Sequence, residues 1–395
     1  MPQDQDAIVI VAAARTPMGG LMGNLSSVRS PDLGATAIKA VVDASGLPAD
    51  DVDQVIMGCV LSGALGQAPA RQAALGAGLP VSTGCVTINK MCGSGMKAVM
   101  DAHDQIVAGS SDVMVAGGME NMSLSPYLLP KARGGMRMGH GEVLDSMFFD
   151  GLEDAYQGGL MGTFAQATAD RYAITREAMD DFAIESLKRA NRAIDSGWFE
   201  DEIAPVTIKD RKGETLVAVD EQPVKANPEK IPTLKPAFKT DGTITAANAS
   251  SISDGGAALL LMRESTAKAK GLVPLVRMVG HATHAQKPAD FSIAPISAID
   301  KLLNKVGWIK DEVDLFEINE AFAVVTMLAT QELGLDPEKV NVNGGACALG
   351  HPIGGSGARV LVTLIHALKR LNKQRGVASL CIGGGEATAV AVELM

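Results

Sequence analysis

Aromatic residues are scarce, at 4% of 395 positions, which argues against an aromatic-lined binding surface. Positive charge is in deficit too: 35 basic against 45 acidic residues leave a net charge of −10. That balance excludes general affinity for nucleic acid or anionic membranes, so an anionic, nucleotide-bearing ligand would need a local basic patch. The five cysteines show no paired spacing, which excludes a disulfide framework and a structural zinc site. No apolar run is long enough to cross a bilayer. The acidic start, Met1 to Asp6, runs straight into Ile8-Val9-Ile10-Val11 without a basic flank or small-residue cleavage site. A reducing, cytoplasmic setting is therefore expected. A Gly-x-Ser-x-Gly elbow is also missing, which disfavours a Ser-His-Asp hydrolase.

Glycine is plentiful, at 43 residues, and points to tight turns and close backbone packing. The length suits two or three domains. Two outer regions alternate short apolar strands with helix-period stretches, the pattern of α/β layers. Strands are expected at Ala7–Ala14, Val55–Val60 and Val113–Gly117, and again at Val313–Ile318, Asn341–Asn343 and Val377–Ile382. Between them, roughly Asn121 to Asn248, lies a proline-dotted segment with one strongly helical stretch at Arg176–Ser196, which reads as an inserted loop domain.

The outer regions look like copies of one unit. Val52-Asp53 recurs 261 positions later as Val313-Asp314, and Gly93-Ser94-Gly95 recurs 262 positions later as Gly355-Ser356-Gly357. Each glycine motif opens a helix that leads to an apolar strand and a glycine pair, Gly117-Gly118 ahead of Glu120 and Gly383-Gly384 ahead of Glu386. Three matches in one order at nearly one offset imply two similar α/β halves about a pseudo-twofold axis, with a site at their junction.

Cys92 sits in Asn89-Lys90-Met91-Cys92-Gly93-Ser94-Gly95, ahead of Met96, Val99, Met100, His103, Ile106 and Val107 at helical spacing on one face. A thiol at a glycine-flanked helix N-terminus is expected to have a lowered pKa and to be nucleophilic. A buried cysteine acting as a small hydrophobe is the competing reading. His351 lies in a loop framed by Gly350 and Pro352, which can hold an imidazole rigidly. The other five histidines lack such a frame. His281 and His284 have helical i, i+3 spacing, but no further ligand stands out near them, so no metal site is expected. Cys381 ends an apolar strand before Gly383-Gly384-Gly385, whose N–H groups are open to an oxyanion; it fits a core cysteine before a turn equally well. No Lys-Ser/Thr follows that run, so a P-loop is disfavoured. Asn319-Glu320 follows an apolar strand and also fits a simple helix cap.

Together these segments resemble the thiolase family over nearly the whole chain. The motifs that carry the likeness are Met91-Cys92-Gly93-Ser94-Gly95, Asn319-Glu320-Ala321-Phe322, Asn343-Gly344-Gly345 through Gly350-His351-Pro352-Ile353-Gly354, and Cys381-Ile382-Gly383-Gly384-Gly385. Arg15-Thr16-Pro17 and Asn248-Ala249-Ser250 add to it. The resemblance implies a thiolase-like α/β fold: a first half at residues 1–120 with about 249–270 returning to it, a loop domain for CoA binding and tetramerisation at 121–248, and a second half at 271–395. It implies that Cys92, activated by His351, forms an acyl-cysteine from an acyl-CoA, and that Cys381 moves the α-proton of a second acetyl-CoA. One oxyanion hole would use His351 and a water held by Asn319, the other the N–H groups of Cys92 and Gly383. Neither metal nor cofactor is implied; acetyl-CoA, acetoacetyl-CoA and CoA are substrates and products.

Residues Arg133 to Leu152 and Met161-Gly162-Thr163 resemble short-chain, acetoacetyl-CoA-forming members, which are tetramers. Many of those carry a histidine just before that methionine, where this chain has Leu160, a departure that bears on substrate length. Ser250, Ala246, Ala321 and Phe322 match substrate-contacting positions, and Lys225 lies near a basic CoA-phosphate position. Ketoacyl synthases share the nucleophilic cysteine but pair it with two histidines, where this chain has Asn319 and adds Cys381. A non-catalytic CoA-ester-binding protein is the alternative of a different class; it should form no covalent acetyl adduct.

Overall fold

The structure is a computed structural model that describes residues 6–211 and 213–395. Its backbone is a ten-stranded sheet. The main strands are β1 (Ile8–Arg15), β2 (Gln54–Gly58), β3 (Gly84–Ile88), β4 (Val113–Asn121), β5 (Ser253–Arg263), β6 (Val276–Ala285), β7 (Leu315–Ile318), β8 (Arg375–Ile382) and β9 (Glu386–Leu394). They run in the order β7-β8-β9-β6-β1-β5-β4-β2-β3, with the short Gly19–Gly20 strand against β5.

The repeat is explicit in this order. In the first half β1 pairs antiparallel with β5, β5 antiparallel with β4, and β4 parallel with β2. In the second half β6 pairs antiparallel with β9, β9 antiparallel with β8, and β8 parallel with β7. The two series meet where β1 pairs antiparallel with β6.

Apart from the edge strand β3 and the outer part of β6, the strands are buried on both faces, which accounts for their continuous apolar runs. Alternation within them decides which layer each side chain joins. Ile8 and Ile10 of β1, with Leu259 and Leu261 of β5, face a central core that also holds Val390 and Val392 of β9. Val9, Val11, Ala258 and Leu260 face an outer core. Two helices fill the central layer: α1 (Ser94–Ala108) and α5 (Ile353–Leu371). Nearly every residue of α5 through Leu368 is buried, as expected of a helix enclosed on all sides.

Glycines bring these helices together. A Cβ on Gly95 would sit 2.8 Å from the backbone nitrogen of Ala358, and one on Gly357 would overlap the backbone of Met96. A Cβ on Gly118 would overlap the carbonyl oxygen of Gly354, and backbone cannot rotate away as a side chain can. Gly118→Ala is therefore expected to cost about 1–3 kcal/mol through overpacking, read as a lower urea midpoint with an unchanged slope.

The middle segment contributes α2 (Met161–Arg171) and α3 (Arg176–Asp195), the latter capped by Thr175, whose side chain accepts from the Ala178 N–H. It is tied to β1 by buried Arg15, which donates from Nε to Glu202 at 2.6 Å and from its two terminal nitrogens to Asp220 at 2.7 and 2.8 Å. With both carboxylates fully buried, the guanidinium charge is matched where water cannot reach it.

Several expectations fail for identifiable reasons. Asn341–Asn343 is not a strand: Asn341 has φ +48°, and only Val340 bridges to Phe316. The Asn341 side chain does the pairing instead, accepting from the Ile318 N–H and donating to the Ile318 carbonyl, both at 2.8 Å. Val107 does not share the buried face of α1; it is exposed. His281 and His284 lie on strand β6, where residues three apart point to opposite faces, so their spacing was not helical. Among the described residues, no helix is long and apolar enough to cross a membrane.

Candidate active site

The turn that carries Cys92 is built by local hydrogen bonds. Met91 has φ +48°, an uncommon conformation for a side-chain-bearing residue. It is held there by the Asn89 side chain, which accepts from the Met91 N–H at 2.9 Å, and by Ser94, whose hydroxyl donates to the Met91 carbonyl at 2.6 Å. The Lys90 N–H donates to the same Ser94 oxygen at 2.8 Å. Gly93 follows because a Cβ there would run into Ile382, which stands next to Cys381. The absent side chain thus lets the nucleophile turn lie against the end of β8.

That contact joins the two halves at the thiol. The backbone N–H groups of Gly383 and of Cys92 itself lie near enough to the Cys92 sulfur to favour its thiolate. Cys381 is 1% exposed, and its thiol is pushed well above the usual cysteine range by burial and by the neighbouring Cys92. Gly383 is flanked by Met91 and by Met161 of α2, whose atoms would lie 3.9 Å from a Cβ on the glycine. Gly384 and Gly385 then turn the chain at φ +93° and +87°, where glycine carries no steric penalty.

His351 is buried, and its Nδ1 lies 2.6 Å from the Ser356 hydroxyl. Ser356 donates its own proton to the Pro352 carbonyl at 2.9 Å, so it accepts from Nδ1–H. This assigns the imidazole proton to Nδ1 and leaves Nε2, which is buried and has no hydrogen-bond partner among the described residues, with a free lone pair. Ser356 was noticed in the sequence only as part of the glycine repeat; its role as the tautomer-fixing partner needs the folded helix. Ile353, two residues after His351, packs with Met91 and Cys92.

Asn319 is fully buried, with its amide nitrogen 3.5 Å from His351 Nδ1 and its oxygen accepting from Arg359 at 3.4 Å. It is not a helix cap: α4 (Ala323–Leu333) starts beyond it, with Phe322 at the cap position. Glu320 does not cap α4 either: its carboxylate accepts from Ser186, from Asn341 and from the Cys347 N–H in the first turn of the short helix Ala346–Leu349. Glu120 is a further site residue that sequence reasoning passed over. Its buried carboxylate accepts from the N–H groups of Val60, Leu61 and Gly354, pinning two loops around the nucleophile. Burial pushes its pKa up to about 7.

The thiol pKa overturns the sequence expectation. Desolvation of the thiol pushes Cys92 up to about 11, outweighing the two N–H groups that favour the thiolate, although the residue as a whole keeps some exposure. Burial, aided by nearby Arg359, holds His351 down at about 3. At neutral pH the resting pair is thus a thiol and a neutral imidazole, and Cys92 needs a base when it reacts. The rate of Cys92 alkylation by iodoacetamide is expected to rise about tenfold per pH unit from pH 6 to 9. A plateau across that range would instead reveal a preformed thiolate–imidazolium pair.

The remaining candidates separate into two groups. Ser250 joins Ala321 through backbone N–H and hydroxyl donation to the Ala321 carbonyl at 3.0 and 2.9 Å, and Ala249 bridges to Phe322. Leu160 sits immediately before α2, bridged to Glu153, with Met161 reaching the cluster around Cys381. Ala246 lines a cavity of about 260 Å³ with Ser251, Cys347, Gln222 and Lys230. Lys225 does not line it; its ammonium is paired with Glu221, and Lys230 supplies the cation there instead.

Comparison with known proteins agrees with this arrangement. The family model for the thiolase N-terminal domain matches residues 8–265, and that for the thiolase C-terminal domain matches residues 272–394. The chain is 50% identical to an acetyl-CoA acetyltransferase of Pseudomonas aeruginosa, over 97% of this chain and 98% of that one. It is 47% identical to a probable acetyl-CoA acyltransferase of Staphylococcus aureus, over 98% of each. The crystal structure of the Bacillus anthracis acetyl-CoA acetyltransferase superposes with a TM-score of 0.96 at 45% identity, covering 99% of this chain and 100% of that one. With two family models spanning both halves, and with relatives this similar along their full length, the chain belongs to the thiolase family.

Proposed function

We propose that this thiolase condenses two acetyl-CoA molecules to acetoacetyl-CoA and CoA, and runs the reverse thiolysis, through an acyl group on Cys92. One observation carries the reading. The Cys92 sulfur lies near the backbone N–H groups of Cys92 and Gly383 and beside a second buried thiol, Cys381.

The proton balance follows from those groups. His351 Nε2 takes the Cys92 proton as the sulfur attacks the thioester carbonyl, and Cys381 gives its proton to the departing CoA thiolate. That transfer leaves Cys381 as the thiolate, and because the acylated Cys92 is a neutral thioester no second thiolate beside it opposes that charge. The Cys381 thiolate then takes the α-proton of the second acetyl-CoA, and the resulting carbanion attacks the acyl carbon. The N–H groups of Cys92 and Gly383 hold the tetrahedral oxyanion, an interaction worth about 3 kcal/mol per donor. Cys92 leaves as a thiolate and recovers its proton from His351, so both thiols and the imidazole return to their starting states. None of these steps calls on a metal or a bound cofactor, and the thiols require a reducing compartment such as the cytoplasm.

Homotetramer assembly belongs to the same reading, supported by exposed apolar side chains on the 121–150 loop, including Tyr127, Met138 and Phe149. Light scattering should give four chains per particle; a monomer would remove this part of the proposal. The activity is tested by CoA-dependent thiolysis of acetoacetyl-CoA and a longer 3-ketoacyl-CoA side by side. Faster cleavage of acetoacetyl-CoA is expected. A preference for the longer ester would make the enzyme a broad-chain thiolase, with Leu160 the first residue to exchange for histidine. Cleavage of neither would leave a CoA-ester-binding protein.

A further inference from the structure

Far along α1 from the nucleophile turn, three side chains meet that the catalytic reading does not use. His103 and Asp104 come from α1 in the first half, and His281 comes from β6 in the second. His103 Nδ1 lies 3.0 Å from Asp104 Oδ1, and His281 Nε2 lies 2.9 Å from the same oxygen. One ligand atom from each residue lies within 4.8 Å of the others. The two rings stand nearly perpendicular, at 85°, with centroids 5.1 Å apart, so neither ring covers the other's nitrogen.

We propose that His103, Asp104 and His281 form a site for a zinc-class divalent ion, with water in a fourth position, that clasps α1 to β6 across the two halves. Three observations carry this. First, ligand atoms of a tetrahedral zinc site, at roughly 2.0–2.1 Å from the metal, lie about 3.3 Å from one another; two of the three separations here are already close to that. Second, the donor set of two imidazoles and one carboxylate suits zinc and its neighbours rather than calcium or magnesium. Lys305, whose ammonium donates to the His281 carbonyl at 2.9 Å, opposes any cation here, so an ion at this site must be held by imidazole coordination and not by charge alone. Third, the histidine side chains are only 18% and 12% exposed while Asp104 is 55% exposed, so the nitrogens are fixed by packing and the carboxylate opens the site to solvent.

In the empty state Asp104, which only accepts, is served by one N–H from each ring. For an ion to occupy the same convergence point, each neutral ring changes tautomer through solvent, so that its proton sits on the outer nitrogen and the nitrogen facing Asp104 presents its lone pair. The three ligands come from two halves of the chain, so the unfolded chain cannot present them together, and binding is linked to folding.

The probe is Co²⁺ alone, added to the full chain after its accessible thiols have been blocked with iodoacetamide. Equilibrium dialysis is expected to give one Co²⁺ per chain, with visible d–d bands and no thiolate-to-cobalt charge-transfer band. Zn²⁺ should displace it and raise the melting temperature. The double variant His103→Gln/His281→Gln should lose at least about tenfold in affinity and the melting shift. Its urea transition and thiolysis, both measured without metal, report whether it folds; if it does not, Asp104→Asn, which alters the most exposed ligand, replaces it. Cobalt binding that is equal in wild type and variant, or that shows a thiolate band, would overturn the site, whether or not the enzyme proves to be a thiolase in activity.

Discussion

Cys92→Ala is expected to lower both condensation and thiolysis by roughly four orders of magnitude or more, the scale on which removal of a covalent nucleophile is felt. No other group can take its place. Cys381 is the nearest sulfur, but burial and the adjacent Cys92 hold its thiol well above the usual range. The two N–H groups that would stabilise the oxyanion lie near the Cys92 sulfur. Mass spectrometry after mixing with acetyl-CoA should show one added acetyl group on the wild type and none on the variant. An adduct that persists would mean the acyl group sits elsewhere. The loss should be kinetic and not a loss of fold, because Cys92 is only partly buried and a smaller side chain opens no enclosed cavity.

The second large effect separates the two half-reactions. Cys381→Ala should still be acetylated at Cys92, since His351 remains to take the thiol proton, while condensation falls by about three orders of magnitude, within the usual range for a positioned acid–base group. The acetyl adduct should then accumulate rather than turn over. Cys381 is 1% exposed at the end of β8, so the variant also loses packing; Cys381→Ser keeps the volume and serves as the control. Normal condensation by either variant would remove Cys381 from the mechanism, and failure of Cys381→Ala to acetylate would give its thiol a larger part in the first step than proton delivery.

How much of this was legible beforehand depends on the range of the interaction concerned. The repeat was legible because it rests on local signals: a glycine pair ending a strand, a glycine–serine–glycine entry to a helix, and their common offset. The same glycines located the central helices, since a contact that excludes a Cβ leaves its mark at the residue itself. Asn341 was misread for the opposite reason. Its neighbours look like a strand, but pairing is made by its side chain to Ile318, a substitution of one hydrogen-bonding group for another that apolar periodicity does not register. His281 and His284 were misassigned because two histidines three apart fit a helix by spacing, whereas the strand is set by pairing with β9.

Electrostatics were the least legible. Placing Cys92 before a helix suggested a lowered pKa, from the dipole alone. Burial by both halves of the molecule reverses the sign, and that burial depends on Ile382 and Cys381 arriving from the far end of the chain. Glu120 illustrates the same limit: in sequence it is an acid after a glycine pair, and in the fold it is a buried clamp on Val60, Leu61 and Gly354. Its repeat counterpart, Glu386, is partly exposed and paired with Lys90, so even the internal symmetry could not predict the difference.

By itself the sequence determined the two α/β halves, the turn that presents Cys92 and the glycine run after Cys381, because strand alternation, helix period and glycine's conformational freedom act over a few neighbouring residues. The tertiary structure alone decided that the Gly383 N–H meets the Cys92 sulfur, that Ser356 fixes the His351 tautomer, and that His103, Asp104 and His281 converge. Each of these depends on bringing distant segments into contact, and it is the packing of the whole core that sets such distances.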